Sequence, residues 1–147
     1  MIYLEDNIPT VKYNGLNTQK AATFESTLTV SGATTFASTV AFTGAITATG
    51  GLIGGVQTLA AAGAVNLTTL VTRIDSAGAI ALTLADGTNG QMKIIVMGTD
   101  GGDATLTPTT KTGFSTITFN DAGDGVTLVF ITTKGWIVAG NNGATLA

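Results

Sequence analysis

Residues 114–139 read "FSTITFNDAGDGVTLVFITTKGWIVA". Three runs rich in β-branched and aromatic residues, 114–119, 126–131 and 136–139, are separated by "NDAGDG" and "TTKG", whose Asp, Asn and Gly suit positive φ and side-chain turn bonds. Short runs bounded in this way predict strands. Trp136 and Val138 share a parity after a glycine turn, which places Trp136 on a core-facing side rather than at a sugar-stacking surface. Towards the N-terminus the same grammar recurs at 67–74, 79–84, 92–97 and 104–107, joined by "DSAG", "DGTNG" and "GTDGGD", with "TKTG" before Phe114. Seven short strands within residues 57–147 predict a β-sandwich or barrel-like head. In the strand 92–97, Lys93, Ile95 and Met97 take one face and Met92, Ile94 and Val96 the other, so it reads as buried on both sides and suits an intersubunit contact. In "VQTLAAAGAV", residues 56–65, Ala61 and Ala62 predict a short helical turn.

Upstream of the head, residues 22–56 form a repetitive segment. Phe24, Leu28, Val30, Phe36, Val40, Phe42 and Ile46 all occupy even positions, while the odd positions are dominated by Thr and Ser. This is the alternation of a half-buried strand. A six-residue step links Phe24, Val30, Phe36 and Phe42, and Gly32 and Gly44 stand twelve apart, so the segment is a hexad and dodecad repeat. One unbroken strand over 24–46 would reach roughly 75 Å at about 3.3 Å per residue, so bends at the glycines are expected. A ribbon with one apolar stripe and no second layer needs neighbours to cover it, and three copies around an axis would do so. The expectation is a homotrimeric β-stalk. It ends in "TGGLIGGVQ", where Gly50, Gly51, Gly54 and Gly55 read as a hinge rather than a phosphate cradle, since no Lys-Ser/Thr ending follows. Residues 1–21, with Glu5, Asp6, Lys12, Lys20, Tyr3, Tyr13 and Pro9 and no sustained period, read as an extended arm.

Composition narrows the chemistry. Of 147 residues 44% are apolar and only 10% charged, which with 20 Gly points to an all-β class rather than disorder. The net charge is −3, and the six Lys and Arg residues, Lys12, Lys20, Arg73, Lys93, Lys111 and Lys134, form no basic patch, which argues against nucleic acid. With no Cys and no His the chain has no disulfide, no thiolate nucleophile and none of the commonest metal ligands or acid-base groups. No charged residue occurs between Ser26 and Thr72, yet Thr, Ser and Gly interrupt that stretch throughout, so strands are expected rather than a membrane span. Glu5 and Asp6 come early and no apolar core follows, unlike a secretory signal, which predicts synthesis in the cytoplasm.

The strongest metal motif is "NDAGDG", where Asp121 and Asp124 could offer oxygens to Ca²⁺. The spacing and distal Glu of a calcium loop are missing, so a hairpin turn is the preferred reading, and Asp100 and Asp103 in "GTDGGD" receive the same one. Nothing selects a carboxylate pair for glycoside hydrolysis. No catalytic, cofactor-binding or metal-binding residue is assigned.

Four stretches carry a likeness to a known group: "YLEDNIPTVKYNGLNT" (3–18), "ATFESTLTVSGATTF" (22–36), "LADGTNGQMKIIVM" (84–97) and "STITFNDAGDGVTLVFITTKGWIVAGNNGA" (115–144). Together they cover most of the chain, which resembles bacteriophage head-fibre and capsid-decoration proteins. Similar C-terminal β-modules also occur on tail fibres and other virion appendages. The resemblance implies a homotrimer on the outer capsid surface, attached by the arm to the major capsid protein or another capsid surface protein, with its head projecting outward and no enzymatic activity. The alternative is the receptor- or glycan-binding tip of a tail fibre, whose partner would be a host surface glycan.

Overall fold

A computed structural model describes residues 32–36 and 40–147. The chain divides into two compact units, Met1–Thr47 and Ala48–Ala147. In the first, residues 32–36 and 40–47 carry no strand or helix, and every one is exposed. The expected arm over 1–21, with Tyr3 and Tyr13, and the repeat positions Phe24, Leu28 and Val30 lie outside the described residues.

The second unit is all-β, with ten strands: β1 (Val56–Leu59), β2 (Gly63–Val65), β3 (Val71–Asp75), β4 (Ile80–Leu84), β5 (Met92–Thr99), β6 (Ala104–Pro108), β7 (Ile117–Phe119), β8 (Gly125–Ile131), β9 (Gly135–Asn142) and β10 (Thr145–Leu146). They form two five-stranded sheets, a front sheet ordered β1-β3-β5-β8-β9 and a back sheet ordered β10-β7-β6-β4-β2. From β1 to β6 the chain changes sheet at every strand. Each strand then lies parallel to the one two before it, Val56 beside Val71, Val71 beside Ile94 and Ile80 beside Ala104. Parallel neighbours need a crossover connection, commonly a helix. Here each crossover is itself a strand of the opposite sheet, so the first six strands wind as three flattened coils. The last four strands add on antiparallel: β7 to β6, β8 to β5, β9 to β8 and β10 to β7.

Alternation along each strand builds the core. The inner positions of the front sheet, including Ile74, Ile95, Met97, Val126, Leu128 and Phe130, meet Leu82, Leu84, Leu106, Ile117 and Phe119 of the back sheet in one buried cluster. Trp136 is fully buried, stands edge-on to Phe130 with ring centroids 5.2 Å apart, and donates Nε1–H to the Ala85 carbonyl at 2.9 Å. Burying the ring while pairing its polar N–H avoids the penalty of an orphaned donor. The loop 85–91 that supplies this carbonyl is tied down by Asp86, whose carboxylate accepts from Thr110 N at 3.0 Å and Thr110 Oγ1 at 2.9 Å.

Several expectations change. Of the expected sandwich or barrel-like forms, the two sheets with separate edge strands fit the layered one. Ten strands replace seven, because β1, β2 and β10 have two to four residues each and offer too short a pattern. Ala61 and Ala62 lie in a bend between β1 and β2 and not in a helical turn, since both flanking segments pair into sheets. The strand expected from 67 begins only at Val71, because Asn66 Oδ1 accepts from Thr68 N at 3.1 Å and Thr69 N at 2.9 Å and folds those residues into a corner. "NDAGDG" is not a hairpin: it carries the chain from β7 in the back sheet to β8 in the front sheet. Asp and Gly permit a sharp corner as readily as a hairpin, and the local sequence does not say which sheet the next strand joins.

Candidate functional site

The two outer faces of the head differ in chemistry, and register shows how. On the back sheet, one row runs Ala64, Thr83, Thr107, and the next runs Ala81, Thr105, Thr118, Thr145. Thr105 and Thr118 bring their hydroxyls to 3.5 Å across the pair. This face is small and hydroxylated, and it suits contact with water.

On the front sheet, one row runs Val56, Val71, Ile94, Thr127, and a second runs Met92, Val129, Ile137. A third runs Thr58, Arg73, Val96, Gly125. Val71, Ile94, Val96, Val129 and Ile137 are half-buried against one another, while Val56 and Met92 remain 59% and 48% exposed. Leu52 and Ile53, just before β1, are more exposed still at 86% and 95%. A contiguous apolar sheet face of this kind marks a contact surface more often than bare solvent-facing skin. The charges beside it cancel in place: Arg73 Nε meets Asp75 Oδ1 at 2.9 Å. The pair lies over Gly98, where a Cβ would come within 2.4 Å of Arg73 Nε and 2.7 Å of Asp75 Oδ1.

Behind this face sits Lys93, fully buried among the inward positions of β5. Its Nζ donates to the Thr69 carbonyl at 2.5 Å and to Thr69 Oγ1 at 3.4 Å. Burial pushes its pKa below the ordinary 10.5, because the charged form loses water that the two oxygens only partly replace. The same corner is held by Gln91, donating to the Leu67 carbonyl at 2.6 Å, and by Gln57, whose Oε1 accepts from Asn66 N at 2.8 Å and from Thr72 Oγ1 at 3.3 Å. Lys93 therefore reads as a structural clamp of the 66–70 corner.

The acidic residues singled out in the sequence serve turns. Asp124, buried, accepts from Asn120 N at 2.8 Å and Asp121 N at 3.1 Å through Oδ2, and Asp121 is exposed. Asp100 accepts from Gly102 N at 2.9 Å, and Asp103 accepts from Asn120 Nδ2 at 3.3 Å. Among the described residues no three His, Cys, Asp or Glu side chains gather where they could hold a metal ion. The glycine-rich 50–55 segment is also exposed for most of its length, and Val71 N donates to the Gly55 carbonyl at 3.1 Å where β1 begins. Of these features, sequence reasoning read the two-sided apolarity of β5 but missed the contrast between the two outer faces as wholes. The signal was present in β5 and in "VTLVFI" of β8, which are apolar at both parities, whereas "ATLTP" of β6 is apolar at one only.

The chain matches no protein-family model and no curated protein. The surface chemistry itself therefore carries the functional argument. Among the described residues, no helix is long and apolar enough to cross a membrane.

Proposed function

We propose that the protein is a non-enzymatic structural component of a virion surface, a homotrimeric head fibre or decoration protein. Its arm would dock on the major capsid protein or another capsid surface protein, with the β-head facing outward. The observation that supports this reading is the state of the repeat in a single chain. Phe36, Phe42 and Ile46 stand 66%, 63% and 67% exposed, with no strand partner for the segment among the described residues. Exposed aromatic and aliphatic residues in register, without a second layer, lose their stabilising burial unless other copies supply it. Three linked arms would then bind a capsid far more tightly than one, since the second and third contacts form at high effective concentration.

The test is deletion of residues 1–17. The truncated protein should keep its trimeric mass in light scattering and lose co-sedimentation with capsids. Capsid binding by the truncated trimer would reject the arm as the attachment point. Binding of the full protein to host cells or a glycan array, with none to capsids, would instead identify a receptor-binding tip.

A further inference from the structure

We infer that the outer face of the front sheet is the surface through which the heads of three copies pack together, leaving the threonine face of the back sheet outward. This rests on the homotrimer proposed above and assigns the contact within it. Three observations select another copy of this chain as the occupant.

The first is the asymmetry of the two faces. Two of the three outer rows of the front are mostly Val, Ile and Met, the third being Thr58, Arg73, Val96 and Gly125, whereas both outer rows of the back are Thr and Ala, although both sheets serve the same core. Burial explains the inner positions of both sheets, but it explains the outer apolar rows of the front sheet only if something covers them.

The second is area. Five strands about 4.8 Å apart, each contributing about five residues at roughly 3.3 Å, span about 400 Å². That is within the range of a large patch on a monomer, and about half of the ~800 Å² per partner of a standard interface. The face alone is too small for an independent, stable dimer with an unrelated protein. It suffices as one part of a larger self-association that also covers Leu52 and Ile53, which precede β1 in the chain and are exposed at 86% and 95%.

The third is charge. Where a surface lies close to a three-fold axis its residues meet their own copies, so unpaired charges there would repel. Arg73 and Asp75 neutralise each other on the same strand, and Lys93, the remaining charged residue of β3 and β5, is turned into the core. A partner of opposite charge would call for the reverse arrangement.

The absence of native cysteine makes the test direct. Thr127→Cys lies on the front face beside Ile94, and Thr105→Cys lies on the back face beside Thr118; both positions are half-buried in the single chain. The rate of reaction with a bulky maleimide is measured on each full-length variant, with the mass of the same sample measured by light scattering. The expected result is a trimeric mass with the Thr127→Cys thiol reacting about tenfold or more slowly than Thr105→Cys, as buried sites open only rarely. A trimeric mass with equal rates, or with the back-face thiol protected, would overturn the assignment of the face while leaving the trimer in place. A monomeric mass would overturn the trimer and this inference together.

Discussion

Lys93 shows how one buried side chain can tie a corner to a sheet. Its folded pKa is lowered from 10.5, so between the folded value and 10.5 the unfolded chain holds a proton that the folded chain has released. Stability from this group is therefore complete above 10.5 and declines as pH falls through the folded value. Urea midpoints compared between wild type and Lys93→Met at fixed protein concentration should show the wild type gaining on the variant as pH rises towards 10.5. A constant difference over that range would contradict the buried, desolvated ammonium. Trp136 has a simpler role, filling the core next to Phe130 and pairing its N–H with Ala85. Trp136→Ala should cost about 3–5 kcal/mol in the same measurement, the usual loss for a fully buried aromatic. The core position of Trp136 could be inferred from its parity with Val138. The burial of Lys93 could not, because it depends on Thr69, a residue 24 positions away that presents its oxygens only after the 66–70 corner has folded.

At the scale of elements, the corner "NDAGDG" joins the two sheets through one carboxylate. Asp124 satisfies two backbone N–H groups, and Asn142 Nδ2 donates to the Gly123 carbonyl at 3.0 Å from the facing turn. Gly143 completes this arrangement at φ +78°, where a Cβ would fall 1.9 Å from Asp124 Oδ1. Asp124→Ala should lower stability by about 1–3 kcal/mol by removing the acceptor of two part-buried backbone N–H groups. Gly143→Ala should cost more than about 1 kcal/mol through backbone strain and collision. Adding Ca²⁺ or a chelator should leave the thermal midpoint of the wild type unchanged, and a rise with Ca²⁺ would mean that Asp121 and Asp124 act as ligands rather than as a turn. Strands β3 to β9 were legible because apolar alternation and Asp/Gly turns are local signals. The coiled path through two sheets was not, because parallel pairing such as Val71 beside Ile94 joins residues far apart in sequence, with another strand between them. The outer rows of the front sheet were partly legible: the two-sided apolarity of β5 pointed to a contact, and only the register showed that Val56, Val71, Val129 and Ile137 extend it across the sheet.

At the scale of the molecule, the head has a substantial core of its own, whereas among the described residues Phe36, Val40, Phe42 and Ile46 of the repeat and Val56 and Met92 of the front face stay exposed. Association of identical chains would cover both, and it is the centre of the proposed role as a surface fibre. It also makes thermal stability depend on protein concentration, since an assembly is favoured by mass action. The most direct measurement is the mass of the purified full-length chain by native mass spectrometry or light scattering across a dilution series. A mass three times that of the chain, persisting on dilution to the micromolar range, is the predicted result. A stable, soluble monomer at all concentrations would contradict it.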